Sequence, residues 1–332
     1  MSFTIKKPTM KLPIYWIYIL FLLPPFLLNR SDLSIICDLW HLAQLVIVCV
    51  MSLYYFVNYR ARNTIVNAVL CYYIVAIISS YLNGYSINTI KWDIASDLGI
   101  VLVIYLLFNK NKEKALYYLS KILWLYLLIN TLVMLIWPNG IASGRIGQIV
   151  WFLGGKNNIV PWILIGGGCI ILDSYERNKK MTFITYLKLA ICSVQAFLCD
   201  SSTAVVVMII LWGIYLINII VNNQKLLNFF MGGKRLFLLV AIGFVFVVFF
   251  TTRSNVLQEF SEWFGKDITF NGRTGIWIVA LNYIKDNPWF GAGPVLVFDM
   301  GWSVYMTHAH CLYLNICCLL YTSDAADELD GV

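Results

Sequence analysis

"TAVVVMIILWGIYLINIIV", residues 203–221, runs without a charged side chain for about the 20 residues that a helix needs to cross a bilayer's hydrocarbon core. One such run would define an anchor. Here the pattern recurs, and spans are expected at roughly 12–28, 33–57, 64–82, 94–108, 115–137, 159–172, 181–199, 203–221 and 236–252, with a partial one from about 309. The composition agrees: 60% of the 332 residues are hydrophobic and 12% charged, with a mean hydropathy of +0.76, outside the range of soluble chains. No small-residue cleavage pattern follows the first run, so it reads as a span and not as a removed leader.

A formal charge of +7 invites a nucleic-acid reading, but the basic residues are scattered between apolar segments instead of forming one face. Their positions report topology. With the N-terminus in the cytoplasm, Lys6, Lys7, Lys11, Arg60, Arg62, Lys110, Lys112, Lys114, Arg177, Lys179, Lys180, Lys225, Lys234 and Arg235 all fall in inner loops. The short loops then obey the positive-inside bias throughout. Most of the nine cysteines, Cys37, Cys49, Cys71, Cys169 and Cys192 among them, lie inside apolar runs without metal-ligand spacing, and they read as small packing residues.

Two outer segments, about 138–158 and 253–308, are too long for connectors, and long structured loops are where function concentrates. In "NGRTGIWIVALNYIKDNPWFGAG", residues 271–293, Ile276, Trp277, Ala280, Tyr283 and Ile284 share one side at helical spacing until Asn287-Pro288 stops it. The expectation is an amphipathic, half-buried helix over about 273–286, with Trp277, Trp289 and Trp302 at the membrane interface. Arg273 stands where that helix begins, so its guanidinium and the first free N–H groups face one volume suited to a diphosphate. Anchoring to lipid headgroups is the equal alternative. Arg145, in "SGRIGQ", is a candidate second clamp, its flanking glycines allowing close backbone approach, or else a solvated loop residue.

His308 and His310, two of only three histidines, sit where the second outer segment re-enters the bilayer. An interfacial imidazole can take a proton from a sugar hydroxyl near neutral pH. A metal site competes, since i and i+2 on an extended segment share a face. Asp299 is the nearest carboxylate, however, and a catalytic metal wants three protein ligands, so none is expected. Interfacial histidines with no chemical role are the plain alternative. His41 reads as a packed or polar-paired helix residue, and Asp200-Ser201-Ser202 as a tight turn between spans.

Beyond Tyr321 the composition turns acidic in "YTSDAADELDGV", after a charge-free stretch from Ala309 to Leu320 too short to span. The expectation is one polytopic domain over 1–320, with native sequence breaking off near Leu319 and a non-native or disordered tail over 321–332. A native acidic tail is the alternative.

The order Gly272-Arg273-Thr274, Trp277, Asn287-Pro288, Gly291-Ala292-Gly293 and His308-Ala309-His310 closely resembles the hallmark region of the O-antigen ligase and polymerase family, which includes Wzy-type polysaccharide polymerases. Cys311 stands where that family usually has Asn. "SGRIGQIVWFLGGKNNIVPW" is similar to the family's earlier outer-loop element, though more loosely.

The resemblance implies an all-α polytopic, GT-C-like membrane protein of about ten transmembrane helices, in the bacterial inner membrane, working on the outer face. The implied substrate is an undecaprenyl-diphosphate-linked glycan, with no cofactor, metal or nucleic acid, and with a flippase and a chain-length regulator as partners. Arg145 and Arg273 would then neutralise the diphosphate, His310 would act as base and His308 as its helper. A polymerase of repeat units for O-antigen, capsule or exopolysaccharide is the first expectation and a ligase the second. A lipid-linked glycan transporter or flippase is the rival class; transporters usually carry polar groups at the bilayer midplane, whereas here they gather in outer loops.

Overall fold

The computed structural model describes residues 15–29, 33–59, 63–86, 90–143 and 149–221, together with 279–280, 282, 298–299 and 305–306. These residues are mostly helical: α1 (Tyr15–Leu22), α2 (Ser34–Tyr59), α3 (Thr64–Leu82), α4 (Lys91–Asp93), α5 (Gly99–Ile136), α6 (Lys156–Asn178), α7 (Phe183–Leu198) and α8 (Ser202–Val221). Two small antiparallel ladders accompany them. One orders β1 (Ala142–Ser143), β2 (Ile149–Trp151) and β3 (Gly154–Gly155); the other pairs β4 (Phe298–Asp299) with β5 (Tyr305–Met306). Neither ladder was expected from the helical spacing of the apolar residues.

Contacts divide the chain into one unit of residues 1–67 with 95–222 and a second of 68–94 with 223–332. In the second, the described part comprises most of α3, α4, helical residues Val279, Ala280 and Asn282, and the β4–β5 pair. Those three helical residues fall inside the expected amphipathic helix.

Among the described residues, four helical stretches are long and apolar enough to cross a membrane: 34–58, 64–82, 94–136 and 156–178; Phe183–Leu198 and Thr203–Gly213 are shorter apolar helices. The expected span at 236–252 and the partial one from about 309 lie outside the described residues. On α2, Leu39, Leu42, Val46, Val50, Leu53 and Val57 recur every three or four residues and are all exposed. In water such a stripe would be costly, whereas lipid is its natural surround.

The expected spans 94–108 and 115–137 are merged in α5, yet α5 is not straight. Asn111 leaves the helix, with φ −160° and ψ 97°, and its side-chain Oδ1 accepts the Lys114 N–H at 2.9 Å, starting a second limb. A Cβ placed on Gly99 would lie 2.6 Å from Leu22 Cδ2, while the Tyr126 hydroxyl reaches the Leu20 carbonyl at 3.5 Å. A straight helix would hold residues 99 and 126 roughly 40 Å apart, too far for both to meet one turn of α1. The chain therefore reverses at Asn111, and the polar stretch around Lys110 and Lys112 is the bend of a hairpin.

Pro24-Pro25 breaks the first expected span: α1 ends at Leu22 and a single 3-10 turn, Phe26–Asn29, follows. Proline lacks the N–H that would continue the ladder and disfavours helix in the residue before it. Trp40 Nε1 donates to the Phe21 carbonyl at 2.7 Å, fixing α1 to α2. At the α2–α3 corner, Asn63 caps α3 by accepting the Val66 N–H at 2.9 Å, and the buried Tyr55 hydroxyl donates to Asn67 Oδ1 at 3.0 Å. His41 Nδ1 lies 3.0 Å from Gln44 Oε1, the polar pairing expected of it. Asp200 turns the chain from α7 to α8 with φ 48°.

Small residues set the spacing of α6. Cβ atoms at Gly166 and Gly167 would lie 2.5 Å from Leu127 Cδ1 and 2.9 Å from Leu211 Cδ1, so two adjacent glycines let α5 and α8 approach from different sides. Gly166→Leu should push α6 off α5 and destabilise the chain by about 1–3 kcal/mol, read as a lowered unfolding temperature in detergent.

Candidate functional site

Arg145, Arg273, His308 and His310 all lie outside the described residues, as do Trp277 and Asn287-Pro288. What is described is the framework leading to them. Arg145 falls in sequence between β1 and β2, whose register pairs Ala142 with Val150 and Ser143 with Ile149. His308 follows β5 by two residues, and β5 pairs Met306 with Phe298 and Tyr305 with Asp299. Both candidate segments are thus bordered by a short antiparallel pair.

The β1–β3 segment is held by contacts that no local pattern announces. Asn130 is fully buried on the second limb of α5, and its Oδ1 accepts the Leu153 N–H at 2.8 Å. Its amide also approaches Met134 Sδ at 3.4 Å. Phe152 offers its carbonyl to the Leu27 N–H at 3.2 Å, and Trp151 Nε1 donates to the Trp137 carbonyl at 3.0 Å. Edge-on contacts from Tyr126 to Phe152, at 5.7 Å between centroids, and a tilted one to Trp162, at 5.6 Å, wedge the turn among α5 and α6. Asn130 lies six positions before the end of α5, about 9 Å along its axis, so the β2–β3 turn dips below the helix end. Gly140, at φ 82°, makes the preceding turn, where a Cβ would come 2.8 Å from the Val150 carbonyl oxygen.

From β3 the chain runs directly into α6, which starts at Lys156 and not at 159 as expected. Gly155 caps it without any side-chain hydrogen bond, and Lys156, Asn157 and Asn158 are exposed. The positive end of the helix dipole and a lysine therefore meet at the start of α6, shortly after the Arg145 segment in sequence, an arrangement that favours an anion. The sequence alone does not single out Lys156, because nothing in it locates the helix start. Asn130 was overlooked although a lone amide in "LLINTLVMLIW", residues 127–137, was the available signal.

Replacing Asn130 with Leu should strand the buried Leu153 N–H and cost about 1–3 kcal/mol. The expected readout is faster amide hydrogen exchange at residues 151–155 with little change in α2.

The family model described as O-Antigen ligase (Wzy_C) matches residues 187–319. Neither the curated proteins nor the solved structures contain a match to the chain. The matched segment takes in Arg273, His308 and His310, along with β4 and β5, and begins after Arg145. The match supports an enzyme of the ligase and polymerase type, acting on lipid-linked glycan in a membrane, and the apolar helices agree with a multi-pass membrane protein. The match over residues 187–319 supports the O-antigen ligase/polymerase family for that part of the chain.

Proposed function

We propose that the chain is a GT-C-like polymerase of about ten transmembrane helices, joining undecaprenyl-diphosphate-linked repeat units at the outer face of the bacterial inner membrane. The observation that carries this reading is the order of Gly-Arg-Thr, Trp, Asn-Pro, Gly-Ala-Gly and His-Ala-His within residues 272–310, all inside the segment matched to the O-antigen ligase model. Capsule, O-antigen and exopolysaccharide units share this donor chemistry.

The step is a displacement at the anomeric carbon. A hydroxyl of the acceptor glycan attacks it, a new carbon–oxygen bond forms, and the bond to the lipid diphosphate breaks. The hydroxyl proton passes to the His310 imidazole, with His308 assisting. The leaving diphosphate gains negative charge, which Arg273 and Arg145 neutralise through paired N–H donors. Supporting Arg145 in that role is its place in sequence shortly before the lysine-bearing start of α6, which no side chain caps. Supporting the histidines is the β4–β5 pair, which gives the backbone a fixed register two residues before His308.

A ligase that moves finished glycan onto a different acceptor would use the same donor half of the reaction, and the description of the matched model favours it as the second reading. Which genes adjoin this one separates the two: a flippase and glycosyltransferases favour the polymerase, lipid A core genes the ligase.

His310→Ala, expressed at the normal level, should lower chain extension by about 10²- to 10⁴-fold, seen as loss of long polymer on a gel of extracted glycan. Unchanged polymer length would remove His310 from the chemistry. Arg273→Lys keeps the charge but loses the planar fork, so turnover should fall by roughly tenfold or more, the worth of one charge-assisted hydrogen bond. Full activity in that variant would instead make Arg273 a headgroup anchor.

A further inference from the structure

At the end of the first unit remote from β1–β3, the second limb of α5 meets the C-terminal turns of α6 and the start of α7. Tyr117, Lys121 and Trp124 follow one another at i, i+4 and i+7 and so form a stripe along α5. Lys121 Nζ stands 4.3 Å from the Tyr117 ring centroid, and Lys188 Nζ of α7 stands 5.4 Å from that of Trp124. Arg177 of α6 lays its guanidinium over the Tyr117 ring as well, with Cζ at 4.9 Å. Lys188 is near enough to Asp173, Arg177 and Lys121 to feel the charge of each.

The charges do not balance. Asp173 is buried, and Arg177 engages both of its oxygens, Nε to Oδ1 at 2.8 Å and Nη2 to Oδ2. That pairing fixes the guanidinium that stands over Tyr117 and, among the described residues, engages the carboxylate whose charge Lys188 feels. Among the described residues, neither Lys121 nor Lys188 has a carboxylate within ion-pair distance. Aromatic faces offset part of the cost of holding two ammonium groups among apolar helices, and the lysine stems can reach outward. Charge neutralisation still calls for an anion.

We propose that this cluster binds the phosphate of an anionic lipid headgroup, with Lys121 and Lys188 as donors and Arg177 beside them. What selects a lipid over a free phosphate is the surface next to the cations. Phe183, Ile184 and Leu187 precede Lys188, Leu125 adjoins Trp124, and all four are exposed. An amphiphile places its phosphate on the ammonium groups and its acyl chains along those side chains, which inorganic phosphate cannot do. Basic clefts between membrane helices are suited to headgroups for this reason.

The test uses the full chain purified in a neutral detergent, with bound lipid counted by native mass spectrometry after adding phosphatidylglycerol or phosphatidylcholine. The wild-type chain should retain phosphatidylglycerol preferentially. Lys121→Gln with Lys188→Gln should weaken that retention by about tenfold or more. Lys121→Arg with Lys188→Arg, which keeps the charge, should restore it. Equal retention of the two lipids by the wild-type chain, or equal retention of phosphatidylglycerol by the wild-type and Gln chains, overturns the proposal. Displacement of the lipid by millimolar inorganic phosphate, but not by chloride at equal ionic strength, overturns the choice of lipid and makes a soluble phosphate the occupant.

Discussion

The N–H of Leu153 leaves the chain below the end of α5, where surrounding side chains are apolar and water is scarce, and it is met by the Oδ1 of Asn130. Non-helical backbone at that depth is tolerated only where protein supplies the missing partners. Once that bond is made, the neighbouring groups fall into place: the Phe152 carbonyl goes to Leu27, and the Trp151 indole to the Trp137 carbonyl. The 3-10 turn after α1, the second limb of α5 and the start of α6 are joined through one short turn. The β1–β3 ladder is thereby a fixed platform and not a loop laid over the bundle.

Much of the helical framework is legible in the sequence, and what is not has identifiable causes. Hydropathy located α2 and α3 to within a few residues, because length and apolar content decide what can cross a bilayer. It placed the start of α6 too late, at 159, since Lys156, Asn157 and Asn158 look like loop residues until β3 is seen to feed the helix. The Asn130 contact joins residues of α5 and a turn far along the chain, and no periodicity encodes it. The aromatic and cationic cluster has the same character. Its Tyr117, Lys121 and Trp124 stripe is readable at helical spacing, but Asp173, Arg177 and Lys188 join it only through packing of three helices.

The candidate chemistry divides differently. Arg273, His308 and His310 were singled out by residue type and order, and the family match spans the same stretch. Spacing alone left each of them with a plain alternative, headgroup anchor or interfacial residue, because one arginine or one imidazole carries little information by itself. Their sequence order carried the distinction. Arg145 lies outside the match and its motif is looser, yet the start of α6, which follows its segment in sequence without a side-chain cap, adds an electrostatic reason that residue order lacks.

The bend at Asn111 bears on how the membrane orientation of this chain can be counted. Read as one unbroken crossing, 94–136 would contribute an odd step to the tally; folded back on itself, it contributes an even one. Every compartment assigned by alternation after that point inverts between the two readings. A single residue that abandons helical backbone therefore sets the parity of the topology, and with it the side to which the β1–β3 platform belongs.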